Sequence, residues 1–207
     1  MLNHDCLEFL NMLASSAPTP GGGGASAYAG ALGAALGCMV ARLTIGKKNY
    51  ASFEEDLQVI LIKCEALRNH LASLVQKDAD AFEPLAKAYA LPKNTEEERR
   101  IRGEVMEGAL LAASLAPLEI MEHSYMGLLL QEKLAEKGSR LAVSDVGVGV
   151  QLLKASILGA SMNIFINTKS MRDRPKAEEI EKKARRLIDE GMALADRIYH
   201  KVEGELA

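Results

Sequence analysis

The stretch from Ser15 to Leu43, SSAPTPGGGGASAYAGALGAALGCMVARL, restricts the fold more than any other part of the chain. Pro18 and Pro20 push the residues before them toward extended geometry, so Ser15 to Pro20 cannot be helical. Four glycines follow, and a run of small residues then continues without a charge to Arg42. Gly30, Gly33, Ala34 and Gly37 recur at spacings of three and four. On a helix that spacing makes one nearly smooth face, against which another backbone can pack closely. The expected element is a helix from about Gly23 to Thr44, ended by Gly46-Lys47-Lys48. It serves either as the wall of a binding site or as a tight packing joint.

A chain of 207 residues is long enough for one good core. Ala, Leu, Glu and Lys dominate, which favours helix, and the net charge of −3 gives no bulk electrostatic argument for nucleic acid or a membrane surface. Gly21 to Ala41 is long enough to span a bilayer, but it is mostly Gly and Ala rather than the Leu, Ile and Phe that drive insertion. A buried helix of a soluble protein is the expectation. Cys6, Cys38 and Cys64 fit no zinc pattern, and their odd number argues against a disulfide framework. A reducing cytoplasm follows as the expected compartment. No signal peptide is expected, because the N-terminus is acidic and lacks a basic region.

The rest of the chain reads as long helices. Asp5 and Glu8 form a capping pattern for a short helix to about Ala14. Leu57, Ile60, Cys64, Leu67, Leu71 and Leu74 make a nearly coiled-coil seam from about Ser52 onward. The same rhythm reaches Asp78, then Ala81 and Leu85, so an ionisable residue falls on the buried stripe. Thr95 to Glu98 is a second capping box, with Ile101, Val105, Ala109, Ala112 and Ala116 as the apolar face behind it. Pro84 and Pro117 predict kinks or breaks. Ser144 or Asp145 is the expected cap of the next helix, whose seam is Val146, Val150, Leu153, Ile157, Ala160, Ile164 and then Asn167. Asp173 and Pro175 start the last helix, with its seam at Ile180, Ala184, Leu187, Gly191, Leu194 and Ile198. The product is an all-α single-domain bundle over residues 1–207. Seams this long can bury more than one chain covers, which predicts a homodimer.

Three features bear on chemistry. The glycine run is neither a P-loop nor a dinucleotide fingerprint, since no Gly-Lys-Ser/Thr follows it and no strand precedes it. What remains is a helix N-terminus able to hold an anion or a carbonyl, against the alternative of a packing junction. Asp78 on an apolar stripe would have a raised pKa suited to proton transfer, or else a salt bridge to a neighbouring helix. Asn163 and Asn167 lie one turn apart and either orient a polar ligand or bond across helices. His4, His70, His123 and His200 share no metal spacing and read as isolated surface residues, so no metal site is expected. Lys47 and Lys48 read as a solvated helix end or as a grip on an anionic tail.

These blocks together resemble the formiminotransferase-cyclodeaminase C-terminal family. The resemblance rests on the glycine-rich opening, then GKKNY at 46–50, DADAF at 78–82, LPKNTEEE at 91–98, SDVGVG at 144–149 and GASMNIFIN at 159–167, in that order. It implies an all-α domain that dimerises and a tetrahydrofolate one-carbon derivative as ligand, with no cofactor beyond that substrate. It implies that Asp78 is the proton acceptor. It makes Pro20, Gly21, Gly22, Gly23, Lys93, Asp145, Asn163 and Asn167 candidates for the folate cleft, with Lys47, Lys48 or Lys93 meeting the folate's glutamate carboxylates. Gly138-Ser139 departs from the Gly-Asn often found there in the family. The implied activity is formiminotetrahydrofolate cyclodeaminase, releasing ammonia and forming 5,10-methenyltetrahydrofolate. The alternatives are methenyltetrahydrofolate cyclohydrolase, giving 10-formyltetrahydrofolate, and a non-catalytic folate-binding or scaffold protein.

Overall fold

The glycine-rich run folds into a long helix that packs against three others. The structure, a computed structural model, describes residues 6–207. Its helices are α1 (Cys6–Leu13), α2 (Gly22–Thr44), α3 (Glu54–Tyr89), α4 (Glu96–Lys137), α5 (Val143–Thr168) and α6 (Arg174–Leu206), and no strand occurs among the described residues. α2, α3, α4 and α5 form a closed ring of neighbours, and α6 packs along α4 and α5. The expected cap at Asp5 lies outside the described residues. α1 is fastened by Phe9, whose ring tilts against that of Tyr28 at 5.2 Å.

The smooth face of α2 is used for close approach. A Cβ on Gly33 would stand 2.8 Å from the Gly149 carbonyl oxygen and 2.7 Å from Leu153, so α5 presses directly onto this turn. From the other side Gln131 Nε2 donates to the Gly33 carbonyl at 2.9 Å, tying α4 to the same point. α2 and the segment 140–168 each have the length and hydropathy of a membrane span, but each is packed into the bundle.

The seams of α3, α5 and α6 are buried as expected, from Leu57 to Leu74, from Val146 to Ile164 and from Ile180 to Ile198. α4 differs. Ile101, Val105 and Ala112 are exposed, and the buried stripe runs through Gly103, Ala109, Leu110, Ala113 and Ala116. The start of α4 extends beyond the main core and meets only a second, smaller cluster around Leu85, Leu110, Met171 and Ala177. Neither proline breaks its helix: α3 continues through Pro84 and α4 through Pro117. Pro117 has no N–H for the Ala113 carbonyl four residues earlier, and Asn167 Nδ2 supplies the missing donor at 2.9 Å.

The Thr95–Glu98 capping box forms in full, and Asp173 accepts from the Lys176 N–H as the cap of α6. Ser144 and Asp145 do not cap α5. That helix begins at Val143 after a short 3₁₀ turn, Arg140–Ala142, with no side-chain cap. The 3₁₀ turn already delivers the chain in near-helical geometry, so no Asx or Ser cap is required.

Candidate active site

α2 begins without a capping side chain of its own, because Gly21 is its N-cap. Its first N–H groups therefore need acceptors from elsewhere. Asp78 on α3 meets this need: its carboxylate accepts from the Gly24 N–H. The carboxylate lies directly on Gly23, where a Cβ would stand 2.2 Å from Oδ1 and 2.4 Å from Oδ2. Only a residue without a side chain fits between this carboxylate and the α2 backbone. Pro20, buried and joined to Thr19 by a cis peptide bond, packs on Gly24 from the other side.

Asp78 makes no salt bridge among the described residues. Its neighbours are already engaged: Lys77 pairs with Glu119 at 2.5 Å, and Asp80 accepts from Gln76 at 2.8 Å. Burial raises the Asp78 pKa from 3.8 to about 6, and the Gly24 N–H offsets only part of that. Half-buried and lacking a cationic partner, the group can hold or release a proton near neutral pH.

Across the glycine run stands Asn163 of α5, with its amide nitrogen and oxygen 3.6 and 3.7 Å from where a Gly22 Cβ would be. Asn163 Nδ2 donates to the Gly159 carbonyl at 3.2 Å, and the side chain is half-buried. Asp78 and Asn163 thus adjoin successive residues, Gly23 and Gly22, at the N-terminus of α2, which brings an ionisable acid and an amide to one helix end.

The other residues expected at the site are placed elsewhere. Asn167 is buried and committed to the Ala113 carbonyl. Lys47 and Lys48 lie at the far end of α2, roughly 33 Å away by helix rise. There Lys47 Nζ donates to Ser139 Oγ at 3.0 Å. Asp145 sits in the first turn of α5, near that same far end, whereas Asn163 is near its last turns. Lys93 borders a separate basic cavity between α4 and the residues after α5. A single chain therefore joins Pro20, Gly21, Gly22, Gly23, Asp78 and Asn163, and separates them from Lys47, Lys48 and Asp145.

Two groupings escaped the sequence. The basic cavity brings Arg99 and Arg102 beside Arg172. His70 and His123, expected to be isolated, stack at 4.1 Å. With Glu119 they place three potential ligand atoms within 4.8 Å and could hold a divalent cation, although Lys77 already occupies one Glu119 oxygen. The two histidines border an apolar groove of about 600 Å³ between α3 and α4, which Asp78 does not line. Each group joins a close pair, Arg99 with Arg102 or Glu119 with His123, to a residue some 50 to 70 positions away, so spacing alone did not complete either.

The sequence profile of the formiminotransferase-cyclodeaminase family matches residues 5–186. The chain belongs to this family. A methenyltetrahydrofolate cyclohydrolase from Methylorubrum extorquens is 44% identical over 207 residues, covering 100% of both chains. A formimidoyltransferase-cyclodeaminase from Gallus gallus is 32% identical over 94% of this chain, which spans only 37% of that longer protein. Among solved structures, a formiminotetrahydrofolate cyclodeaminase from Thermotoga maritima superposes with a TM-score of 0.81 at 31% identity, covering 99% of this chain and 96% of its own. Family members thus carry the names of both reactions that the resemblance had implied.

Proposed function

We propose that this family member is a methenyltetrahydrofolate cyclohydrolase, opening the 5,10-methenyl ring to 10-formyltetrahydrofolate. The observation that carries the chemistry is Asp78, desolvated and unpaired against Gly23. The full-length likeness to the Methylorubrum extorquens cyclohydrolase favours hydrolysis over deamination as the leading reading.

In the reaction, Asp78 accepts a proton from water as the water oxygen adds to the methenyl carbon between N5 and N10. The carbon becomes tetrahedral. Its bond to N5 then breaks, N5 takes the proton held by Asp78, and the carbon collapses to a formyl group on N10 as the hydroxyl proton passes to solvent. One water is consumed and one proton is released. In this reading the Asn163 amide donates to the oxygen that develops on that carbon. With a pKa of about 6, Asp78 is mostly ionised at neutral pH yet basic enough to accept the proton.

The test is the loss of methenyl absorbance above the uncatalysed rate. A second reading, cyclodeaminase, is favoured by the Thermotoga maritima likeness. There N10 attacks the formimino carbon and ammonia leaves, so methenyl absorbance would appear from formimino-folate. The homodimer expected from the long seams belongs to the same proposal and is read by sedimentation equilibrium.

A further inference from the structure

Arginines at the start of α4 divide into two groups. Arg100 is paired on both sides, with Glu97 at 2.6 Å and Glu104 at 2.7 Å. Arg99 and Arg102 turn instead into a cavity of about 350 Å³ that they share with Lys93 and Arg172. None of these four cations makes a salt bridge among the described residues. Arg99 reaches only the Lys93 and Asn94 carbonyls, at 3.3 and 3.0 Å. The Arg102 Nε is buried with no hydrogen-bond partner. Arg172 lies flat on Gly103, where a Cβ would stand 2.3 Å from its guanidinium nitrogens. The one acid lining the cavity, Glu107, is occupied by the Arg172 and Asp173 backbone N–H groups, at 2.8 and 2.9 Å.

Like charges held together with a buried, unpaired donor are costly until an anion joins them. Guanidinium groups fit carboxylates best, through paired hydrogen bonds. The cavity lies at the Asp78 end of the bundle. α5 ends at Thr168, five residues past Asn163 and four before Arg172. The ground between is apolar. Leu110 belongs to the second core cluster, against which Met106 and Phe82 also pack, and Phe82 is four residues beyond Asp78 on α3.

We propose that the cavity formed by Lys93, Arg99, Arg102 and Arg172 binds the glutamate-tail carboxylates of the folate substrate. This rests on the functional reading above, which places the reacting carbon at Asp78.

The experiment compares methenyltetrahydrofolate bearing one glutamate with the form bearing five, on wild-type protein and on the Arg102→Gln/Arg172→Gln double variant. The wild type is expected to show the lower KM for the longer tail. The double variant raises that KM about tenfold or more, with the loss falling on KM rather than kcat, and narrows the difference between the two tails. In parallel, p-aminobenzoyl-pentaglutamate, which has no reacting carbon, is titrated calorimetrically into both proteins. It should bind the wild type and lose about tenfold or more in affinity to the variant. Arg99→Gln, at an exposed position, replaces the double variant if that variant fails to fold. Unchanged KM values and unchanged binding of p-aminobenzoyl-pentaglutamate in a folded variant overturn the proposal. If wild-type protein turns over no folate, the functional reading fails, and the titration alone then decides the cavity: binding weakened by the substitutions supports it, and no binding overturns it.

Discussion

At the C-terminal end of α2, polar groups close on one another. Thr44, fully buried, accepts from the Ser139 N–H at 2.8 Å and donates to the Val40 carbonyl at 2.7 Å. Lys47 reaches Ser139, and the Tyr50 hydroxyl accepts from the Arg140 N–H at 3.0 Å. At the N-terminal end, Asp78 has the Gly24 N–H as its backbone donor and no ion-pair partner among the described residues. Both ends must satisfy the unpaired backbone groups of a helix terminus. One does so with the backbone N–H groups of the turn that follows, Ile45 on the Ala41 carbonyl at 3.0 Å and Lys47 on that of Thr44 at 3.1 Å, which stabilises. The other does so with a carboxylate taken partly out of water, which costs stability and yields a reactive group. The difference separates a structural joint from a candidate catalytic centre more sharply than residue type does.

The largest effect is expected at Asp78. Asp78→Asn should lower turnover about 10²- to 10⁴-fold, as loss of a general base does, with the fold retained by circular dichroism. For wild type, kcat/KM should fall about tenfold per pH unit below a pKa of about 6, because the carboxylate is the active form. Stability runs the other way. A raised carboxylate pKa means that the folded state disfavours the charge, so stability is greatest below 3.8, declines toward 6 and stays reduced above it. The full displacement amounts to roughly 3 kcal/mol. Asp78→Asn should therefore raise the urea midpoint at pH 8 and leave it nearly unchanged at pH 3. A variant that loses stability at pH 8 would mark Asp78 as a structural cap like those at the far end.

Gly23→Ala comes next. The new methyl group occupies the space of the Asp78 carboxylate, so the acid must move. Misplacement of about 1 Å costs on the order of 10²-fold in rate, and the strain costs about 1–3 kcal/mol. Turnover and thermal midpoint should fall together. Normal turnover would show that the acid need not rest on the glycine backbone.

The two asparagines repeat the comparison one turn apart. Asn163→Ala should reduce turnover about tenfold or more with little change in stability. Asn167→Ala should do the reverse, losing about 1–3 kcal/mol by leaving the Ala113 carbonyl unpaired. Pro117→Ala restores an N–H for that carbonyl, so in that background Asn167→Ala should cost less. A double-mutant cycle on the urea midpoints reads the coupling. A coupling near zero would break the assignment of Asn167 to structure.

Much of this was legible in the sequence because the information was local. The seams of α3, α5 and α6 hold their steps of three and four over many turns, so period identified the buried face even though α5 also exposes Val148, Met162 and Ile166. Asp78 stood out because a charge interrupted such a face. α4 was misread at Ile101 and Val105 because it is apolar on more than one side, and only the packing of Leu85, Met171 and Ala177 selects Leu110 and Ala113. The distance between Lys47 and Asp78 was not legible either. Both lie near ends of α2, and a motif order along the chain carries no record of which end. The cluster of Arg99, Arg102 and Arg172 was invisible for a related reason, since it joins segments some 70 residues apart.

The smallest expected effect tests the structural end. Tyr50→Phe removes the acceptor of the Arg140 N–H, a contact near the surface where water can replace the lost hydroxyl. The cost should be about 0.5–1 kcal/mol, read as a small fall in the urea midpoint with the slope unchanged. The titration of Asp78 should not move, because roughly 33 Å of helix separates the two ends and exposed groups that far apart are screened beyond a Debye length of about 8–10 Å. A shifted pH–rate profile in Tyr50→Phe would mean that the far end of α2 does reach the reacting group. Among the described residues no run of hydrogen bonds joins Tyr50 to Asp78, so such a shift would itself argue that a second copy brings this end to Asp78.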